Sequence, residues 1–143
     1  MKKMLMSACL ALSATLCLPA VQPAGNPAEL RAGASRIDYT PRDRLPSNFN
    51  GVLDPIHVRS VVLDNGRTRV GLVAIDAGAM PTDLYRKVSA RAAEELKIPA
   101  SQLLMSASHT HSVPFRLDGS VEEVILRSLR ESIARLQPAR VTW

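Results

Sequence analysis

Two histidines separated by one residue, His109 and His111, are the side chains of this sequence best suited to chemistry. Neutral imidazole is a frequent ligand of zinc and a frequent proton carrier near neutral pH. In an extended backbone, residues i and i+2 point to the same side, so both rings can reach one ion, or one binds the ion while the other meets a substrate. The His109-Thr110-His111-Ser112 segment therefore predicts a metal site such as a zinc site, or else a surface segment without chemistry.

Asp76 and Ser112 are candidates for supporting roles. Asp76 closes an apolar stretch, and a buried carboxylate needs a partner because an unpaired buried charge is costly. We expect it either to bind a metal or orient a histidine ring, or to accept hydrogen bonds from the backbone amides of residues 77–80. Ser112 lacks a Gly-x-Ser-x-Gly elbow and is expected to cap a helix or to support the residues of the site rather than to act as a nucleophile. His57 lies inside a predicted strand and is expected to be structural.

The elements that must position these side chains form a βαβ unit. The apolar run 70–76 predicts a strand buried on both faces, and residues 103–107 predict another. Between them, apolar residues recur every fourth position and predict a helix over 82–96, capped by Thr82. The crossover makes the two strands parallel, so Asp76 and His109 reach the same edge of the sheet, where α/β proteins bind ligands.

Further elements are expected on either side of this unit. Residues 30–37 and 56–63 predict strands, and the second is followed by the turn signal Asp64-Asn65-Gly66. A capping box begins a second helix, predicted over residues 120–136, and residues 141–143 resemble the start of another strand. The predicted fold class is α/β, a mixed sheet with one βαβ unit and a second helix, and we expect the domain to be incomplete.

The first residues of the chain are typical of a secretory signal. Lys2 and Lys3 precede an uncharged stretch, 4–18, and small residues follow it, with cleavage expected after Ala20 or Ala24. The uncharged stretch is shorter than the roughly 20 residues that cross a bilayer. We therefore expect a periplasmic or secreted protein with no membrane span after cleavage.

The predicted organisation is a signal peptide at 1–20, a flexible leader at 21–29 and one α/β domain at 30–143. Both cysteines lie in the first segment, so a processed chain has neither a disulfide nor a cysteine ligand. Removing Lys2 and Lys3 leaves 16 basic against 13 acidic residues, and aromatic residues make up only 3% of the chain. Nucleic-acid binding is not expected, because this small excess of basic residues and this low aromatic content do not predict a basic surface with aromatic side chains that stack on bases.

Four stretches of the chain resemble the beginning of the neutral/alkaline, non-lysosomal ceramidase family. They are Gly33 with Asp38-Tyr39-Thr40-Pro41, the run 51–63, Val73-Ala74-Ile75-Asp76 followed by Gly78 and Met80, and Ser106-Ala107-Ser108-His109-Thr110-His111-Ser112 with Pro114. The last is the most specific, being similar to the family's Ala-Thr-His-Thr-His-Ser-Gly-Pro. The order and spacing of all four agree with the family over roughly residues 30–143.

The resemblance implies a secreted zinc amidase that releases the fatty acid from ceramide. It implies that His109 is a zinc ligand, that His111 faces the substrate and that Asp76 is a supporting carboxylate. Zinc would lower the pKa of its bound water and polarise the amide carbonyl. The family's other ligands, a His, a Glu and a Tyr, come from much later in its chains, and Val113 stands where the family has Gly.

We therefore predict the N-terminal portion of a ceramidase-like zinc amidohydrolase acting on a lipid or other N-acyl amide. His109 is the predicted metal ligand, His111 the catalytic residue, and Asp76 and Ser112 the supporting residues. Weak zinc binding and little or no hydrolysis are expected of this chain by itself. The alternatives are a small exported binding or interaction module without catalysis, and a degenerate remnant of such an enzyme.

Overall fold

The computed structural model describes residues 29–42, 45, 47–113 and 120–142. The predicted signal peptide and all but the last residue of the predicted leader lie outside these ranges. The described residues form a sheet and two helices, with a short 3-10 turn at Ala100–Gln102. The elements are β1 (Arg31–Asp38), β2 (His57–Asp64), β3 (Arg69–Ile75), α1 (Thr82–Leu96), β4 (Leu103–Ala107), α2 (Ser120–Ala134) and β5 (Gln137–Pro138).

The sheet is mixed, as predicted, with the strand order β4-β3-β2-β1-β5. The β3 and β4 strands are parallel and are connected through α1, which confirms the βαβ unit, while the other neighbouring strands are antiparallel. Ile75 pairs with Ala107, so β3 and β4 end side by side. The Ser108 amide continues this ladder by donating to the Ile75 carbonyl at 2.9 Å. The segments that follow the two strands therefore start from one edge of the sheet.

Both helices pack on one face of the sheet and enclose the core there. Inward side chains alternate along the strands, and the helices contribute the apolar stripes that their four-residue spacing predicts. Each fully buried Val, Ile or Leu contributes roughly 1.5–3 kcal/mol relative to an exposed one. The side chains with no exposed area include Val58, Val62, Ile75, Val88, Ala92, Ile98, Ile125, Leu126 and Leu129.

Four buried serines lie where α2 crosses the sheet. Ser128 Oγ is 2.7 Å from both Ser35 Oγ and Ser60 Oγ, and Ser132 Oγ is 2.7 Å from Ser60 Oγ. All four are at most 7% exposed. The small side chains allow the helix to approach the strands closely, and each hydroxyl is satisfied by another, as burial of polar groups requires. No sequence pattern singles out these serines, and in the structure they hold α2 on β1 and β2.

A surface ion-pair network joins the two helices. Arg91 on α1 bonds to Glu122 and Glu123 on α2, both at 3.0 Å, and Arg130 on α2 bonds to Glu95 on α1 at 2.6 Å. These groups are exposed or partly exposed, so each pair adds little to the stability of the fold.

The opposite face of the sheet is apolar along two rows of residues in register. Leu72 pairs with Val61 on one side and Leu104 on the other, and these three side chains are 37%, 37% and 63% exposed. Leu63 and Val70 form part of the next row. A sheet face that meets water normally carries polar side chains at these alternate positions. Along these two rows the face instead carries apolar side chains, some of them exposed.

The predicted end of α2 and the predicted last strand are both wrong. The helix ends at Ala134 rather than at residue 136, because the Arg135 and Leu136 amides donate to carbonyls three residues back and tighten the last turn. The chain then pairs with Arg31 and Ala32 through β5. Residues 141–142 are not in a strand, and residue 143 lies outside the described residues.

The predicted cap of α1 is also wrong, although the bounds of the helix are as predicted. Pro81 occupies the N-cap position, Thr82 is the first helical residue, and no side chain of the cap bonds to the backbone. The proline ring fixes φ near −65°, and Pro81 has a φ of −63°. The chain therefore enters the helix without a hydroxyl cap. The β1, β2 and β3 strands are each displaced by one residue from their predicted bounds.

Candidate metal centre at the strand ends

His109 has a backbone conformation that is rare for a residue with a side chain. Its φ is 59°, in the left-handed region, two residues after the end of β4. This conformation costs of the order of 1 kcal/mol or more for residues other than glycine and is concentrated at functional sites. The strained turn directs the ring of His109 back towards the segment that follows β3.

The His109 ring is held by a backbone carbonyl. Its Nδ1 lies 2.6 Å from the Gly78 carbonyl oxygen. Since a carbonyl oxygen only accepts hydrogen bonds, Nδ1 carries the proton, and in the neutral ring Nε2 keeps its lone pair. Histidine ligands of metals are commonly oriented in this way, with one ring nitrogen donating to the protein and the other facing the ion.

The ring of His111 faces that lone pair. The two Nε2 atoms are 3.5 Å apart, and the ring centroids are 5.0 Å apart at an interplanar angle of 84°. Two nitrogens bound to one tetrahedral zinc at about 2.0–2.1 Å lie about 3.3 Å from each other. Both residues are exposed. The pair therefore fits two corners of a zinc site on the protein surface.

Asp76 does not join this pair. Its Oδ2 accepts hydrogen bonds from Arg59 Nη1 at 2.8 Å and from the His57 amide at 3.0 Å. In the described part of the chain, no group of three or more His, Cys, Asp or Glu side chains could hold a metal ion. The Asp76 carboxylate thus joins β3 to β2, and its supporting role at a metal stays a prediction.

The alternation of the strand explains where the Asp76 side chain goes. Asp76 has the same parity as Leu72 and Ala74, so it lies on the sheet face that the helices do not cover. Arg59 on β2 occupies the same face with 45% of its side chain exposed, and the His57 ring lies 3.9 Å from the carboxylate. The structural role expected for His57 agrees with this position at the start of β2.

Tyr39 binds the backbone of Asp76. Its hydroxyl donates to the Asp76 carbonyl at 2.6 Å. Burial, together with the negative charge of the Asp76 carboxylate, raises the pKa of Tyr39 from 10.0 to about 12. The phenol is therefore a neutral donor throughout the physiological pH range.

We expect Tyr39→Phe to change how stability depends on alkaline pH. The folded protein holds the Tyr39 proton more tightly than the unfolded chain does, so this contribution is complete below about pH 10 and is lost as the pH rises towards about 12. Urea unfolding at several pH values should show the variant less stable than the wild type near neutral pH. Above about pH 10 the difference should shrink, and a constant difference would contradict the assigned hydrogen bond.

A crevice of about 460 Å³ opens beside the histidine segment. Ser108, Thr110 and Ser112 contribute to its lining, whereas neither imidazole is among the described residues that line it. The remaining wall is formed by Asp76 and by the loop between β1 and β2, including Val52, Leu53, Phe49 and Ile56. Ser112 also donates its amide to Thr110 Oγ1 at 3.3 Å. The residues of this segment that line the crevice are thus Ser108, Thr110 and Ser112, and not the two histidines.

Solved structures of neutral ceramidases share this arrangement of strands and helices. "Ceramidase complexed with C2" and "Crystal Structure Analysis of neutral ceramidase from Pseudomonas aeruginosa" each match with a TM-score of 0.61 and 23% sequence identity, over 78% of this chain. The chain has the fold of part of a neutral ceramidase. It spans 22% of the length of each of these two ceramidase chains. No family model and no curated protein matches the sequence.

The resemblance to neutral ceramidases that the four sequence stretches predict is thus confirmed at the level of the fold. Two of those stretches, residues 73–76 and 106–112, include the ends of the parallel β3 and β4 strands. They therefore lie at the edge of the sheet where the histidine pair is found. Across the described ranges, neither α1 nor α2 has the length and apolar character needed to cross a bilayer.

Proposed function

We propose that this chain is the N-terminal portion of an exported, ceramidase-like zinc-dependent amidohydrolase that acts on an N-acyl amide. The observation that carries the proposal is the His109 ring, fixed by the Gly78 carbonyl at 2.6 Å with its Nε2 facing His111. The ceramidase fold supports the proposal, because the histidine motif at 106–112, in which this chain resembles the neutral ceramidases, lies at the same edge of the sheet.

His109 would hold zinc through Nε2, since its other ring nitrogen is occupied by Gly78. Zinc, when bound, acts as a Lewis acid towards the carbonyl of an amide. His111 is placed to share the ion or to move a proton at a substrate atom next to it, because its Nε2 is only 3.5 Å from that of His109. Ser112 supports the segment through the hydrogen bond that its backbone amide donates to Thr110 Oγ1.

The crevice beside the histidine segment suits the apolar part of a lipid amide, whose amide group would extend from it towards the two imidazoles, which do not line it. Val52, Leu53 and Ile56 offer an apolar wall, while the hydroxyls of the histidine segment offer hydrogen bonds to an amide or hydroxyl group. A catalytic zinc normally has three protein ligands and one open position. The described residues supply two, so we expect little or no hydrolysis by this chain unless further ligands are added.

A chimaera tests the proposal. The matching stretch of the Pseudomonas aeruginosa neutral ceramidase is replaced by residues 30–143 of this chain, and release of fatty acid from a fluorogenic ceramide analogue is followed with and without zinc. We expect zinc-dependent turnover that falls at least about 100-fold in His109→Ala, because loss of a residue that only orients a ligand already lowers metal affinity or activity about 10- to 100-fold. His57→Gln removes a histidine outside the pair, and its turnover should stay close to that of the parent chimaera.

The proposal fails if the chimaera is folded by circular dichroism and binds zinc but shows no turnover. It also fails if His109→Ala and His57→Gln lose activity to the same extent. The second result would mean that the histidine pair has no part in the chemistry, and would favour the exported binding module.

A further inference from the structure

We propose that Asp76 binds the substrate in the crevice, where its Oδ1 atom accepts a hydrogen bond from a hydroxyl group near the amide. The inference rests on the proposed function, because it concerns the part of an N-acyl amide that the same site selects. It gives the carboxylate a contact with the substrate itself, which goes beyond a supporting role at a metal. Asp76 is thereby a residue that determines which N-acyl amides bind.

One oxygen of the Asp76 carboxylate is left open by the fold. Oδ2 accepts both hydrogen bonds of this side chain, from Arg59 Nη1 at 2.8 Å and from the His57 amide at 3.0 Å. Oδ1 has no hydrogen-bond partner in the part of the chain that the structure describes. No buried side-chain oxygen of these residues lacks a partner, so Oδ1 is accessible to solvent. Since Asp76 lines the crevice, an open acceptor is available there.

The aspartate at the opposite end of the same two strands uses both of its oxygens within the fold. Asp64 accepts from the Gly66 amide at 2.7 Å through Oδ1 and from Arg69 Nε at 2.8 Å through Oδ2. The Arg69 contact is an ion pair between β2 and β3, as is the contact between Arg59 and Asp76 at the other end. Such a pair needs only one carboxylate oxygen, and at Asp76 the second oxygen remains available to a ligand.

Four hydrogen bonds hold Asp76 in place before any ligand binds. Its amide donates to the His57 carbonyl at 3.0 Å, and its own carbonyl accepts from the Tyr39 hydroxyl at 2.6 Å. The two bonds to Oδ2 fix the side chain, of which 23% is exposed. A group that is already ordered loses little conformational freedom on binding, so more of its interaction with a ligand appears as affinity.

The surroundings of Oδ1 favour a neutral donor over a cation. Arg59 already balances the negative charge of the carboxylate, whereas the lone pairs of Oδ1 can still accept hydrogen bonds. Ser108 and Thr110 line the same crevice, and their hydroxyls can either donate to a ligand or accept from it. A hydroxyl group suits this set of partners, because it donates one hydrogen bond and accepts others.

The position of Asp76 places this hydroxyl near the amide. Asp76 follows β3 and Ser108 follows β4 at one edge of the sheet, and Ser108 directly precedes His109. The alkyl part of the substrate has a wall of its own, which includes Val52 and Ile56. We therefore expect the selected hydroxyl on a carbon close to the amide and not at the far end of the acyl chain.

Two soluble probes that differ at one oxygen test the inference, N-hexanoyl-2-aminoethanol and its methyl ether. Both carry the amide, but only the alcohol can donate a hydrogen bond from this oxygen to a carboxylate. NMR titration of the purified chain without zinc measures the two affinities. The wild type should bind the alcohol roughly 10-fold more tightly than the ether, as expected for one hydrogen bond to a charged group.

Asp76→Asn changes the open oxygen and keeps the other contacts. Arg59 and the His57 amide are both donors, so the carbonyl oxygen of the new side chain takes the place of Oδ2 and its NH2 group takes the place of Oδ1. An NH2 group donates to an alcohol and to an ether alike, so the preference should disappear. Asp64→Asn is the matched control, because it weakens the other ion pair between the same strands, and it should keep the preference of the wild type.

Four results, each on chains shown to be folded by circular dichroism, would overturn the inference. They are no binding of either probe to the wild type, equal affinities of the wild type for both, an unchanged preference in Asp76→Asn, and an equal loss of preference in Asp64→Asn. Because the titration contains no zinc, these results are separate from the zinc binding and turnover that test the proposed function. A chain that binds zinc without preferring the alcohol would reject this inference alone.

Discussion

Replacing Gly33 with alanine is expected to destabilise the protein by about 3 kcal/mol or more, at the upper end of what overpacking costs. A Cβ added there would lie 2.0 Å from the Ser132 carbonyl oxygen and 3.0 Å from backbone atoms of Arg135 and Leu136. These backbone atoms cannot rotate away as a flexible side chain can. The backbone at Leu136 is also held against β1, because Arg31 Nη2 donates a hydrogen bond to the Leu136 carbonyl at 2.7 Å.

Two other glycines provide matched controls for this substitution. A Cβ at Gly51 meets nothing within 4 Å, so Gly51→Ala should change the free energy of unfolding by less than about 0.5 kcal/mol. At Gly71 the nearest atoms are the ends of the Leu103 and Leu129 side chains, at 3.1 and 3.2 Å, and an intermediate loss is expected. Urea unfolding followed by circular dichroism measures all three. Equal stability of the Gly33 and Gly51 variants would contradict the close packing of α2 on β1.

The second large effect is expected in zinc affinity. His109→Ala removes the ring that the Gly78 carbonyl orients, and His111→Ala removes its partner 3.5 Å away. His109→Ala should weaken zinc binding by about 100-fold or more, since it removes a ligand outright and not only a residue that orients one. His111→Ala should have an equal effect only if its ring shares the ion. Calorimetric titration of the folded chains measures the change.

His57→Gln is the control for this titration, because it removes the third histidine of the sequence, which lies next to Asp76 and away from the pair. Its zinc affinity should equal that of the wild type. The metal assignment would be untenable if the wild type and His109→Ala bound zinc equally well.

The parts of the fold with long, regular patterns could be predicted from the sequence. The α1 helix has its predicted bounds, and β3 and β4 lie within one residue of theirs, because apolar residues recur along them at the period of each element. The β5 strand could not be found in this way. It has two residues, one of them Pro138, and exists only because the end of α2 brings it against β1. No local pattern records such a pairing.

In the candidate site, too, some features follow from the sequence and others depend on contacts in the folded protein. The two histidine rings lie beside one another, but the spacing argument assumed an extended backbone, whereas His109 has a left-handed one and its ring is oriented by the Gly78 carbonyl. The partner of Asp76 depends on the register between β2 and β3, which pairs Val58 with Ile75 and so places the His57 amide beside the carboxylate. That register is a property of the folded sheet, and a single sequence does not reveal it.

The central claim is that His109 holds a metal ion through Nε2 beside the His111 ring, and nitrogen NMR of the histidine side chains with and without zinc tests it most directly. We expect the Nε2 signals of His109 and His111 to change together as zinc is added, while Nδ1 of His109 keeps its proton and the His57 signals stay in place. No change at Nε2 of His109, or a response from His57 or from Nδ1 of His109, would contradict the claim.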